Sequence, residues 1–129
     1  MTIVSTTSTS SPSSPAPTEA LRRAVDELRA AIADNLERNQ VILTRLEELE
    51  TGLRDGASAG DLAAAEPTPG VAEMLSQNLA ALETAGSTFR TAQARALHAD
   101  GLTMDAIAER FGVTRQRVSA LLRNAERSG

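Results

Sequence analysis

A heptad repeat of mainly apolar residues is the feature that most restricts what this chain can fold into. Between residues 18 and 54, repeat positions recur with alternating spacings of four and three, which is typical of a long amphipathic helix. At 1.5 Å per residue such a helix is about 55 Å long, and it cannot bury its apolar stripe alone. The positions of the stripe are Leu21, Val25, Leu28, Ile32, Asn35, Asn39, Ile42, Leu46, Leu49 and Leu53.

Two asparagines in this stripe bear on what covers it. Asn39 falls at heptad position a and Asn35 at position d, and a buried asparagine in such a stripe fixes register and favours a dimer. Leu36 and Leu43 at position e widen the stripe beyond a two-stranded coiled coil. The sequence therefore predicts self-association through helix 18–54, with a dimer favoured. The alternative is a long helix that folds back on its own chain.

The remaining segments differ sharply in composition. A Ser/Thr/Pro leader is expected to be disordered, and a Gly/Ala/Pro-rich linker holds at most a short helical turn near residues 61–66. A connecting helix follows, and the apolar residues along one side of it are candidates to cover Leu36 and Leu43. Gly86 then marks either a break or a weak point in a continuing helix. The predicted domains are 1–17 (leader), 18–54 (self-association helix), 55–70 (linker), 71–86 (connecting helix) and 87–129 (C-terminal domain).

Composition excludes several classes of chemistry. The chain has no Cys and no Lys, and His98 is its only histidine. Disulfides, a P-loop lysine, a Schiff-base lysine and paired histidine ligands are therefore absent. We expect no enzyme activity, no cofactor and no metal site. No apolar run is long enough for a membrane span and no signal peptide is recognisable, so a cytoplasmic protein without a membrane partner is expected.

Charge is distributed unevenly between the two parts of the chain. Residues 1–86 hold six Arg and thirteen acidic residues, whereas residues 87–129 hold seven Arg and four acidic residues. A basic module joined to an acidic one is typical of a nucleic-acid-binding domain with an appended partner domain. The acidic part would repel phosphates, and it is a candidate surface for a protein partner.

Three helices are predicted in the basic part. The first carries Phe89, Ala92, Ala96 and Leu97 on one face and ends at Gly101. The second spans residues 104–110 and the third 115–124; the threonines before them, Thr103 and Thr114, are typical N-caps. Gly112 permits the tight turn between them. The predicted fold class is all-α, a long coiled-coil-like helix followed by a trihelical domain.

The stretch TMDAIAERFGVTRQRVSALL resembles a helix-turn-helix motif. Ala108 supplies the small residue of the first helix, Gly112 follows four positions later, and Val118 six positions after that. Extended to GLTMDAIAERFGVTRQRVSALL, it is most similar to region four of primary sigma factors, which binds the promoter −35 element. The resemblance covers about a third of the chain. It implies a motif core of Ile107, Ala108, Phe111, Gly112, Val113, Val118 and Leu121.

A helix-turn-helix domain implies a recognition helix in the major groove, here residues 115–124. Arginine pairs with guanine and glutamine with adenine, and small side chains allow close approach. The expected base-reading residues are Arg115, Gln116, Ser119 and Ala120. The expected phosphate contacts, which position the protein without reading sequence, are Thr103, Thr114, Arg117, Arg123, Arg127, Arg90 and Arg95.

These features predict a non-enzymatic, sequence-specific transcriptional regulator that binds double-stranded DNA and associates with itself. One alternative is a coiled-coil adaptor or scaffold whose acidic part binds a protein partner. Another is a nucleoid-associated protein that binds DNA with little sequence preference.

Overall fold

The computed structural model describes residues 16–128, with side chains for residues 16–124. Within this range the chain is all α, which confirms the predicted class. The leader lies mostly outside the described residues, and the side chain of Arg127 lies outside them too. The helices are α1 (Pro17–Arg54), α2 (Ala59–Ala65), α3 (Val71–Ala99), α4 (Met104–Phe111) and α5 (Arg115–Ser128). None of these described helices combines the length and the apolar character that a membrane span requires.

The chain divides into two compact units, and the division differs from the predicted domains. The hairpin unit is Leu28–Ala85; the terminal unit joins the described residues up to Glu27 to those from Gly86 onward. Gly86 lies inside α3, so of the two possibilities for this position the continuing helix is correct. The start of α1 therefore belongs with the C-terminal helices and not with the rest of the predicted self-association helix.

In the hairpin unit, α1 folds back against α3 of the same chain. Arg38 Nε donates to Asn78 Oδ1, and Asn78 Nδ2 donates to Asn39 Oδ1 at 2.9 Å. Further along α1, Arg45 Nη1 donates to the carbonyl of Pro69 at 3.0 Å, so the two helices run antiparallel. Buried residues on this side are Asn35 and Ile42 of α1 and Met74 and Asn78 of α3.

This pairing separates the a and d residues of the predicted coiled coil: the d residues face α3 and the a residues do not. Its d residues turn inward: Asn35 and Ile42 are buried and Leu49 is half-buried. Its a residues between 32 and 53 stay exposed, because α3 covers the d and g side of α1. An a/d dimer seam is therefore incompatible with this hairpin. The exposed a positions are Ile32, Asn39, Leu46 and Leu53.

The predicted role of the connecting helix is also wrong. Leu36 and Leu43 are 61% and 56% exposed, so α3 does not cover them. Helix α3 presents Met74 and Asn78 to α1 and leaves Leu75 exposed. Six residues were expected on one face of this helix: Val71, Met74, Leu75, Asn78, Leu79 and Leu82. Of these, Met74 and Asn78 are buried, whereas Leu75, Leu79 and Leu82 are exposed.

The predicted linker is more ordered than its composition indicated. Ser58 caps α2, accepting from the Asp61 N–H at 3.0 Å, and α2 ends one residue before Glu66. The Glu66 carboxylate accepts from the Val71 N–H at 2.7 Å and so caps the N-terminus of α3. At Gly52, an added Cβ would lie 2.6 Å from Leu62 Cδ2, so α2 packs closely against α1 here through the end of the Leu62 side chain.

The terminal unit has its own hydrophobic core. Ala94, Ile107 and Val118 are completely buried, and Ala108 and Leu121 complete the cluster. Partly buried side chains surround this cluster: Leu97, Leu102, Met104, Phe111 and Leu122. On α1, Ala24 is buried in the same unit. The proposed site residues are therefore held on α3, α4 and α5 by one shared core.

Candidate nucleic-acid interface

A left-handed glycine turns the chain between α4 and α5. Gly112 has φ +67° and ψ +36°, a conformation that costs an L-residue with a side chain roughly 1–2 kcal/mol. The Gly112 N–H donates to the carbonyl of Glu109 and the Val113 N–H to that of Ala108, which satisfies the end of α4. The predicted role of Gly112 is confirmed.

Threonine hydroxyls begin both helices of this pair, as predicted. Thr103 Oγ1 accepts from the Ala106 N–H at 3.1 Å, and Thr114 Oγ1 accepts from the Arg117 N–H at 3.1 Å. Each hydroxyl still has its own proton to donate. Thr103 and Thr114 are both exposed. The caps are therefore compatible with the phosphate contacts expected at these two positions, while contributing to helix stability on their own.

Most of the predicted motif core lies beneath the surface. Ile107 and Val118 are fully buried, and Ala108 and Leu121 are buried beside them. Phe111 is half-buried at the edge of the cluster. Val113 differs from the prediction: it is 38% exposed, because it follows the glycine turn and not the inward face of a helix.

Sequence reasoning missed the central residue of the first helix. Ala94 is completely buried, whereas the four predicted inward residues of this helix are all half-buried. Ala94 lies three residues before Leu97 and so shares its face. In an alanine-rich helix, however, a single methyl group gives little contrast from which to choose the buried position.

Over residues 115–124, where the side chains are described, the face of α5 opposite the core is polar and carries no acidic residue. Successive residues are rotated by 100°, so Gln116 and Arg123 lie opposite the buried Val118 and Leu121. Arg115, Gln116, Arg117 and Arg123 are exposed, and the small Ser119 and Ala120 between them are half-buried. From Arg115 to Asn124 the helix contains three arginines and no carboxylate. This surface can donate many hydrogen bonds and attracts anions.

Two contacts modify the roles expected for particular residues. Arg123 Nη1 donates to Ser119 Oγ at 2.8 Å, so an expected phosphate contact and an expected base reader are bonded to each other. Arg115 Nη1 lies 3.9 Å from Asp105 Oδ1, with both side chains mostly exposed. Ser119 and Arg115 must therefore exchange these partners, or share them, in order to contact a ligand.

More arginines flank α5 on two sides. Arg90, Arg110 and Arg117 line a shallow cleft beside Phe111 and Val113. Arg95 and Arg123 line a second cleft, together with His98 and Met104. Arg110 was absent from the predicted contacts, although its position at the end of α4 beside the turn was available from the sequence. The described residues contain no group of three His, Asp or Glu that could hold a metal ion.

Comparisons with protein-family models, curated proteins and solved structures find no match to this chain.

Proposed function

We propose that this protein is a sequence-specific, non-enzymatic DNA-binding regulator whose α4 and α5 act as a helix-turn-helix. The observation that carries the proposal is the exposed face of α5, which presents Arg115, Gln116 and Arg123 and has no acidic residue among residues 115–124. An α-helix of this kind fits the major groove, where arginine and glutamine hydrogen-bond to base edges.

The residues that anchor α5 in the core also favour DNA binding. A recognition helix must be held rigidly, because base contacts require accurate placement. Val118 and Leu121 anchor α5 in the core, Thr114 caps its first turn, and Gly112 sets the turn before it. Arg95, Arg110 and Arg117, which line the two flanking clefts, would contact phosphates, which position the protein without reading sequence.

Self-association belongs to the proposed function. A domain of this size makes few phosphate contacts by itself, and two linked copies bind adjacent half-sites with a higher effective concentration. The site of action would be the compartment that holds the DNA. The acidic hairpin unit would repel phosphates, so we expect it to make no contact with DNA.

The test is selection of binding sites from random duplex DNA with the full chain, followed by titrations of the selected and a scrambled duplex. Gln116→Ala and Arg115→Ala should each lose roughly 1–3 kcal/mol of discrimination between the two. Gln77→Ala and Arg29→Ala, which change exposed residues of the same types in the hairpin unit, are the matched controls and should bind like the wild type.

The other outcomes of this experiment favour one of the alternative functions or a different role for Gln116. Failure to enrich any sequence, together with strong salt-dependent binding, favours a protein that binds DNA without sequence preference. No DNA binding by the wild type contradicts the proposal and favours the adaptor. Equal losses on both duplexes for Gln116→Ala would show that this residue does not read bases.

A further inference from the structure

Both helices of the hairpin unit leave a stripe of large apolar side chains exposed. Leu36 on α1 is 61% exposed and Leu79 on α3 is 71% exposed. On α1 the stripe extends over 21 residue steps, about 32 Å at 1.5 Å per residue. Its members are Ile32, Leu36, Leu43, Leu46 and Leu53 of α1 and Leu75, Leu79 and Leu82 of α3; together they are called the apolar face.

The two stripes lie on the same side of the hairpin. On α1, Leu36 and Leu43 each come one residue after a buried one, and on α3 Leu75 and Leu79 do the same. One residue along a right-handed helix is a rotation of 100°. Because the helices are antiparallel, equal rotations in the two helices turn both stripes towards one side.

The size of the apolar face is close to what a dimer needs. Taking about 180 Å² for a whole leucine or isoleucine, the exposed fractions of its eight residues add up to roughly 750 Å². The largest apolar patch of a typical monomer is about 300–600 Å², and a stable protein interface buries about 800 Å² on each partner. A contact between two copies along this face would therefore reach the usual size.

The border of the apolar face indicates which occupant it fits. Along its middle the neighbouring residues are uncharged: Ala33 and Gln40 on α1, and Ala72 and Ser76 on α3. A second copy can pack along this middle part without burying a charge, which would be costly. Towards Leu53 the stripe of α1 is interrupted by Glu50, which shares the heptad position of Leu36 and Leu43 and is paired with Arg54. Asn39 lies within the stripe of α1, and a polar residue among apolar ones restricts the register of two copies.

We propose that two copies of this chain associate through the apolar face, so that two hairpins form a four-helix bundle. This replaces the a/d seam expected from the sequence by a face made from two helices. The inference rests on the proposed function only for the use of the dimer, because the association itself involves no DNA.

The experiment is sedimentation equilibrium of the full chain over micromolar concentrations. The wild type should be a dimer. Leu36→Glu combined with Leu43→Glu, and Leu79→Glu alone, should each raise the dissociation constant of the dimer at least roughly 100-fold. These side chains are already exposed within the chain, so circular dichroism should remain unchanged.

Val41→Glu is the matched control. Val41 is also an exposed apolar residue of α1, but it lies on the other side of the helix from Leu36 and Leu43. This variant should dimerise like the wild type. A monomeric wild type would overturn the proposal, and so would a dimer that tolerates Leu79→Glu or that Val41→Glu disrupts equally.

A DNA titration of the same variants separates this inference from the proposed function. A dimer that fails to bind any duplex would leave the apolar face as assigned and contradict the DNA-binding proposal. A monomeric wild type that binds a selected duplex would support the DNA-binding proposal and contradict dimerisation through the apolar face.

Discussion

Asn78 on α3 donates a hydrogen bond through Nδ2 to Oδ1 of Asn39 on α1, at 2.9 Å. The same Asn78 accepts from Arg38 through its Oδ1, so both polar atoms of its buried side chain are bonded. Asn35, one turn earlier on α1, is equally buried, but its Oδ1 has no partner. The two buried asparagines of the hairpin unit therefore have opposite energetic consequences.

Asn35→Leu should stabilise the hairpin unit. The substitution removes an amide oxygen that has lost water without gaining a hydrogen bond, and it adds apolar surface between α1 and α3. We expect the free energy of unfolding to rise by about 1–2 kcal/mol. Urea denaturation followed by circular dichroism measures this change.

Asn78→Leu is the matched control and should give no gain. It removes the groups that bond Arg38 and Asn39 and leaves those two side chains to water. We expect the free energy of unfolding to fall by about 1 kcal/mol or more. An Asn35→Leu protein no more stable than Asn78→Leu would show that Asn35 has a partner in solution, such as a bound water.

Local signals were sufficient to predict most of the helices. Thr103, Gly112 and Thr114 act through hydrogen bonds and dihedral angles within a few residues, so their roles follow from the sequence alone. The long helix was predicted within one residue: it begins at Pro17 and not at residue 18. Pro17 fits the first position because its missing N–H has no acceptor there.

Tertiary pairing could not be predicted in the same way. A heptad pattern shows that α1 has an apolar stripe, but the wide stripe does not show which half a partner covers. Asn35 at position d and Asn39 at position a both belong to the predicted stripe, yet one is buried and the other exposed. At the candidate interface, the hydrogen bond between Arg123 and Ser119 depends on side-chain rotamers that a sequence does not specify.

Gly112→Ala should destabilise the terminal unit. Open space surrounds the position of an added Cβ, so only the backbone conformation at φ +67° opposes the substitution. The expected loss is roughly 1–2 kcal/mol in the free energy of unfolding.

Gly60→Ala provides the comparison for this prediction. Gly60 is also open to an added Cβ but lies in α2, where alanine is favoured over glycine by roughly 0.5–1 kcal/mol. The two substitutions should therefore shift the denaturation midpoint in opposite directions. Shifts of the same sign would contradict the left-handed turn at Gly112.

Arg123→Ala should weaken binding to the selected and the scrambled duplex about equally. Arg123 lies two turns into α5 beside Ser119, where we expect it to contact phosphate and not a base. The slope of log affinity against log salt should fall by about one, because one fewer phosphate is neutralised. A loss confined to the selected duplex would instead assign base reading to Arg123.

Asp105→Asn should increase affinity for DNA at a small cost in stability. Its carboxylate lies 3.9 Å from Arg115 Nη1 and competes with DNA for that guanidinium. It also lies in the first turn of α4, where a negative charge stabilises the helix by about 0.3–1 kcal/mol. The exposed ion pair adds little, since such pairs contribute about 0–1 kcal/mol. We expect affinity to rise several-fold at low salt and this gain to shrink as salt screens the charges.

Asp34→Asn separates the local effect of Asp105 from a general change in net charge. It makes the same chemical change at an exposed position of the hairpin unit, which carries none of the proposed DNA contacts. Titrations of both variants at low and high salt should show a gain for Asp105→Asn alone, accompanied by a slightly lower melting temperature. Equal gains for the two variants would mean that Arg115 is no more available to DNA after the substitution, and Arg115 would then lose its assignment as a base-reading residue.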